Sequence, residues 1–197
     1  MDGDSGAQLD VTDLQVETQQ SVKERESVTL TCNSSCSLPQ KTTFIWFRNT
    51  QRLNTRTVKE NQLQLQSVSR HDAGNYQCAV SGYERLISPP VYLNIEYPPQ
   101  SVSVSISPSG VIVEGDSVTL SCSSDSNPPA LIFSWFKENQ SSAVGSGQSF
   151  SISSFNSSHS GNYYCEAQNK HGSQRSESVS VTVKGIFCKH SFSFICL

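Results

Sequence analysis

At 197 residues the chain is long enough for one large domain or two small ones. Its formal net charge of −3, with 14 Lys and Arg against 17 Asp and Glu, excludes the basic excess of a general nucleic-acid binder. Seven cysteines are many for a reducing compartment and an odd number for a secreted chain, and no run of about 20 apolar residues is present to span a bilayer.

Residues 1–8 read as a disordered acidic tail, the opposite of a basic start followed by an apolar segment. A cysteine-rich chain with such a start is expected to be part of a longer protein. Leu14, Val16 and Val22 suggest the first strands. In Ser27-Val28-Thr29-Leu30-Thr31-Cys32, Val28, Leu30 and Cys32 face one way and the polar residues the other, the pattern of a half-buried strand. Phe44 and Trp46 share a face of the next strand. Leu63, Leu65 and Val68 precede Asp72-Ala73-Gly74-Asn75-Tyr76-Gln77-Cys78, and Val91–Ile95 makes a last alternating strand. Tyr97-Pro98-Pro99 then favours an extended, stiff linker.

The whole series returns. Ser117-Val118-Thr119-Leu120-Ser121-Cys122 echoes the first cysteine strand; Phe133 and Trp135 echo Phe44 and Trp46. Phe150, Ile152 and Phe155 lead into Ser160-Gly161-Asn162-Tyr163-Tyr164-Cys165, and Val179–Val183 closes the copy. The cysteines repeat at offsets of 90 and 87 residues, too long for a solenoid unit. After Lys184 the pattern stops. Residues 185–197 are expected to be unstructured, a translated intron remnant.

This repeated Cys…Trp…Tyr-x-Cys frame resembles the immunoglobulin superfamily. The resemblance implies an all-β fold of two tandem immunoglobulin-like sandwiches of the short, non-variable type, with about seven strands each. It places the domains at 9–96 and 100–184, joined by a Pro-rich linker at 97–99. It implies disulfides Cys32–Cys78 and Cys122–Cys165, core tryptophans Trp46 and Trp135 against them, and a tyrosine corner at Tyr76 and Tyr163. In the second copy His159 replaces the carboxylate of Asp72, so a weaker turn is expected there. Cys36, Cys188 and Cys196 are left over, and the state of none of them follows from the sequence.

Catalytic signatures are missing: there is no Gly-rich phosphate loop, no Gly-x-Ser-x-Gly elbow and no His-Glu-x-x-His. Cys188, His190 and Cys196 lack a fourth metal ligand. No enzyme activity, cofactor or metal is expected. Asn33, Asn139 and Asn156 each begin an Asn-x-Ser sequon, candidate glycosylation sites in a secretory protein. Arg48, Arg52, Arg56 and Lys59 form a basic run with no acid until Glu60. They are a candidate ligand face for an acidic partner; the plainer reading is a charged strand edge that discourages aggregation.

Within the superfamily, Ser-Val-Thr-Leu-Thr-Cys-Asn-Ser-Ser-Cys, Phe-Ile-Trp-Phe and Asp-Ala-Gly-Asn-Tyr-Gln-Cys-Ala-Val resemble fish siglec-like B-cell receptors. That resemblance implies a leukocyte membrane receptor, and hence regulation of B-cell signalling. In siglecs an arginine just after the second frame cysteine, on a variable-type domain, binds sialic acid. Here Ala79 and Glu166 stand at those positions, so lectin activity is not expected of these two domains. The expected role is the extracellular segment of a cell-surface immune or adhesion receptor, serving cell–cell recognition or as spacer domains. Its partner would be a protein or glycoprotein on another cell or the same membrane, with no nucleic acid, and with membrane contact only through segments outside this chain. The alternative is a secreted decoy.

Overall fold

A computed structural model describes residues 13–54 and 58–184. The expected tails at 1–8 and 185–197, Arg56, Cys188, His190 and Cys196 lie outside these residues. The chain forms two compact units that divide between Tyr97 and Pro98.

The first unit begins with β1 (Leu14–Glu17), β2 (Ser21–Lys23), β3 (Val28–Ser34) and β4 (Phe44–Arg48). It continues through β5 (Gln51–Arg52), β6 (Val58–Lys59), β7 (Gln62–Leu65), β8 (Gly74–Val80) and the first part of β9 (Val91–Ser107). One sheet runs β1-β3-β7-β6; the other contains β9, β8, β4 and β5, with β2 pairing parallel to β9. The period-2 alternation read from the sequence selects the faces: Val28, Leu30 and Cys32 are buried while Thr29 is exposed. A one-residue slip of β3 against β7, which pairs Leu30 with Leu63, would turn this whole set to solvent.

The second unit takes the remainder of β9 and adds β10 (Val118–Asn127), β11 (Ile132–Lys137), β12 (Gly145–Ser146) and β13 (Ser149–Ile152). β14 (Gly161–Asn169), β15 (Gly172–Arg175) and β16 (Val179–Val181) complete it. β13 and β10 pair in one sheet with β9; β12-β11-β14-β15 form the other, with β16 also on β14. Pro98 and Pro99, expected in a linker, fall within β9, because proline's fixed φ suits an extended backbone.

Between tryptophan and second cysteine, the first unit holds two strands of two residues each, β5 and β6, before β7. They belong to opposite sheets, so the chain crosses the sandwich between them. In the second unit β12 leads straight to β13.

Each core is built on a disulfide between the sheets. Cys32–Cys78 spans 46 residues and Cys122–Cys165 spans 43. Trp46 pairs with Cys78 and Trp135 with Cys165 across neighbouring strands, and both rings are buried. Leu30, Leu63, Leu93 and Ile95 surround the first pair; Leu120, Phe155 and Val181 surround the second. The Trp135 Nε1–H donates to the Gly147 carbonyl at 2.9 Å, whereas buried Trp46 Nε1 has no partner among the described residues.

Tyr76 donates its hydroxyl to the Asp72 carbonyl (2.7 Å) and Tyr163 to the His159 carbonyl (2.6 Å). The turns they bind are single 3-10 turns, Arg70–Asp72 and Ser157–His159. Both carry a capping box. In the first, the Asp72 carboxylate accepts from Ser69 N–H at 2.8 Å. In the second, His159 Nδ1 accepts from Asn156 N–H at 3.2 Å, so a neutral imidazole takes the carboxylate's place and the turn keeps its form. The electrostatics differ: Arg48 pairs with Asp72 at 3.2 Å, while Lys137 donates to the Ser158 carbonyl at 2.8 Å and lies over the Tyr163 ring.

Three outcomes follow from this packing. Replacing Cys122 and Cys165 by alanine should lower the stability of the second unit by roughly 4 kcal/mol, as loop closure of that length predicts, seen as its early melting in calorimetry. His159→Asp should raise the melting temperature of the second unit by adding a carboxylate to the cap beside Lys137, a gain of about 0.5 kcal/mol. Burial raises the Tyr76 and Tyr163 phenols above their ordinary 10.0, so the stability they contribute is complete below pH 10.0 and is lost as pH rises through the raised values. Tyr76→Phe and Tyr163→Phe should each cost about 1 kcal/mol at neutral pH, yet make the alkaline fall in melting temperature shallower.

Candidate functional site

The described residues of the basic run divide between the two sheets. Arg48 and Arg52 lie on β4 and β5 of one sheet, and Lys59 lies on β6 of the other. The crossing between β5 and β6 divides what is contiguous in sequence. Arg48 is also committed: its guanidinium donates to the His71 carbonyl at 3.1 Å and to Asp72 at 3.2 Å, bracing the turn under the tyrosine corner. Arg52 is exposed on β5.

The positions after the frame cysteines are equally informative. Ala79 is fully buried, faces Ile45 on β4 and bridges to Ile87. Glu166 lies between Ser134 on β11 and Arg175 on β15. Arg175 lies flat over the Tyr164 ring, 3.4 Å from its centroid, and Tyr164 in turn stacks on Phe136 at 5.1 Å. The same guanidinium is 3.7 Å from the Glu138 carboxylate. Hydrogen bonds from Ser178 and Asn162 hold that carboxyl below the usual carboxylate range, so it meets Arg175 as an anion. The cation of this sheet face is therefore already neutralised within the unit.

Concavity is found at the loop end of the first unit. The segment between β3 and β4 and the segment after β8 enclose an open cleft of about 720 Å³ lined chiefly by Leu38, Pro39, Thr43, Val80, Tyr83 and Leu86. Local hydrogen bonds shape both walls. Thr42 donates through its N–H and its hydroxyl to the Pro39 carbonyl, at 3.0 and 2.7 Å. Across the cleft Tyr83 N–H donates to Val80, Leu86 N–H to Tyr83, and Ser81 N–H ties this wall to the Thr43 carbonyl of the other at 2.9 Å. Tyr83 remains 61% exposed. Glu84 beside it has its carboxyl held below the usual range by the backbone N–H groups of Glu84 itself and Gly82. Cys36, at the rim, is unbridged and half-buried. An apolar floor, an exposed tyrosine and a charged rim suit a side chain of a partner protein.

The sequence reading missed these residues. Their signal was present: Leu38-Pro39 and Tyr83…Leu86 place apolar residues in loops, where polar ones are the rule. Of the sequons, Asn33 lies within β3 opposite Gln15 of β1. Asn139 stands exposed in the turn after β11 with φ +64°, a left-handed conformation that asparagine tolerates. Asn156 caps the second 3-10 turn. Among the described residues no cluster of His, Cys, Asp and Glu is suited to a metal ion.

Comparison with known proteins agrees with this geometry. Sequence models of the immunoglobulin domain match residues 12–81 and 100–183. B-cell receptor CD22 of Mus musculus is 33% identical over 178 residues, covering 90% of this chain and 20% of that protein. Fc receptor-like protein 1 of Mus musculus is 30% identical, covering 77% of this chain and 48% of that one. Intercellular adhesion molecule 5 of Oryctolagus cuniculus is 36% identical over 58% of this chain and 13% of its own length. The chain thus spans less than half of each of these relatives. The crystal structure of the mouse nectin-like molecule 4 ectodomain superposes with a TM-score of 0.65 at 22% identity, covering 87% of this chain and 64% of that one, a likeness of fold. With two disulfide-pinned sandwiches, two domain matches and relatives among immune and adhesion receptors, the chain belongs to the immunoglobulin superfamily.

Proposed function

We propose that the two domains, taken as residues 9–96 and 100–184, are an extracellular segment of a cell-surface immune or adhesion receptor, and that the first domain binds a protein or glycoprotein through its loop-end cleft. The observation that carries this reading is the cleft itself, whose walls are tied by backbone hydrogen bonds and whose rim presents Tyr83 to solvent. Preorganised loops lose little entropy on binding, and a tyrosine supplies a large contact with few rotatable bonds. Sialic acid is the disfavoured ligand, because the position after Cys78 is a fully buried alanine. Regulation of B-cell signalling belongs to this reading through the similarity to B-cell receptor CD22 and concerns the longer receptor.

The second domain fits a spacer. One face of its β9–β10–β13 sheet carries Ser103, Ser105, Thr119, Ser121, Ser149 and Ser151. These hydroxyls bond to each other, as in Thr119–Ser151 at 2.9 Å and Ser103–Ser123 at 2.9 Å. Such a face offers a partner no apolar anchor.

A multimerised form of the chain should stain cells bearing the partner, and Tyr83→Ala with Leu86→Ser should weaken staining roughly ten-fold without lowering the melting temperature. Leu131→Ser and Ile132→Ser, on the second domain, should leave it unchanged. Staining that survives the cleft substitutions but is abolished by sialidase would overturn the proposal.

A further inference from the structure

The two domains treat the same sheet edge differently. In the first, β7 is covered by β6, and the sequence of β6 includes Lys59. In the second, β13 ends its sheet, with β10 on one side and no further strand on the other among the described residues. An uncovered edge presents unpaired N–H and C=O groups to any passing strand, and natural edges are blunted by charge, proline, bulges or cover. β13 is short, four residues, but carries neither charge nor proline. Between Glu138 and Glu166 the chain has no Asp, Glu, Lys, Arg or Pro at all.

The missing strand also leaves the flank of the sandwich open. A cleft of about 480 Å³ runs along β13, lined by Phe150 and Ile152 from the strand, by Ser154 and His159 beyond it, and by Lys137, Gln140 and Ser158, the lysine being held on the Ser158 carbonyl rather than on the strand. Gln140 is the middle residue of the Asn139 sequon and Ser158 the last residue of the Asn156 sequon. Two sequons separated by 17 positions in the chain therefore converge on this edge. Both asparagines are exposed. Asn156 accepts from Ser158 N–H (2.9 Å) and from the Ser158 hydroxyl (2.6 Å) through Oδ1, so these bonds do not engage the amide nitrogen to which an N-linked sugar joins.

We propose that Asn139 and Asn156 carry N-linked oligosaccharides that together cover the β13 edge and its open flank, doing for the second domain what β6 does for the first. Transfer forms a bond from Asn Nδ2 to the anomeric carbon of an oligosaccharide donated by a polyisoprenyl pyrophosphate. The bond from that carbon to the pyrophosphate oxygen breaks, the pyrophosphate leaves with its electron pair, and the amide nitrogen gives up one proton to the transferring enzyme's base. No redox change is involved. A hydrated, branched sugar beside a strand edge blocks the approach of a second strand. The inference rests on the extracellular reading for passage through the secretory pathway. It needs no ligand, so its test is independent of partner binding.

The test secretes the full chain from eukaryotic cells behind an added signal peptide and reads glycopeptides by mass spectrometry. Sugar is expected at both Asn139 and Asn156; an unmodified residue at either position overturns the proposal. Endoglycosidase trimming of the native chain, which changes no residue, should raise the aggregated fraction in size-exclusion chromatography roughly five-fold or more. Ser141→Ala combined with Ser158→Ala should do the same. Adding Ser151→Lys, a charge on the edge strand, should return the sugar-free protein to monomer, whereas Asn33→Gln in the first domain should leave aggregation unchanged. Trimmed protein that stays as monomeric as the parent, or aggregation that Ser151→Lys does not relieve, overturns it.

Discussion

Each domain depends on a sulfur bridge that must pass through the centre of its sandwich. Cys32 and Cys78, or Cys122 and Cys165, can meet only if each strand turns inward the alternate set of residues that includes its cysteine. That choice settles the rest of both strands: Val28 and Leu30 follow Cys32 into the core, and Tyr76 follows Cys78. The tryptophan directly across from the second cysteine then fills the space around the bridge. The tyrosine two residues before that cysteine comes within reach of the turn that begins its strand. Bridge, ring and hydroxyl are one arrangement, because a register slip would remove all three from the core together.

The same arrangement tolerates different chemistry around it. At the tyrosine corner the first domain uses an ion pair, Arg48 to Asp72, while the second uses a lysine on a carbonyl and an imidazole in the cap. Both corners keep the same backbone because each cap needs only an acceptor for one N–H, and a neutral imidazole nitrogen supplies it as a carboxylate oxygen does. The tryptophans differ in the same manner: Trp135 finds a carbonyl for its N–H. What the two domains share is geometry; what separates them is charge.

Uncovered apolar surface is correspondingly displaced to where that geometry ends. The sheet faces of the second domain bond within themselves, hydroxyl to hydroxyl on one side and Arg175 to Tyr164 and Glu138 on the other. In the first domain the loops leaving β3 and β8 carry apolar side chains that no sheet covers, and short backbone hydrogen bonds hold them around a cleft. A rigid scaffold presenting shaped loops is the common division of labour in this architecture.

The sequence by itself determined the fold class, the number of domains and the core. Alternation, the repeated Cys…Trp…Tyr-x-Cys frame and its offsets are local or periodic signals, and a buried position must be apolar wherever the chain goes next. Trp46, Trp135, Tyr76 and Tyr163 were legible for that reason. The placement of the basic run was not. Arg48, Arg52 and Lys59 are neighbours along the chain, yet only the tertiary structure places the first two on one sheet and the third on the other, and turns Arg48 to Asp72. The cleft of Leu38, Tyr83 and Leu86 and the meeting of two sequons at β13 were hidden likewise. Each joins segments distant in sequence, and their adjacency is set by strand order, to which no local pattern of residues responds.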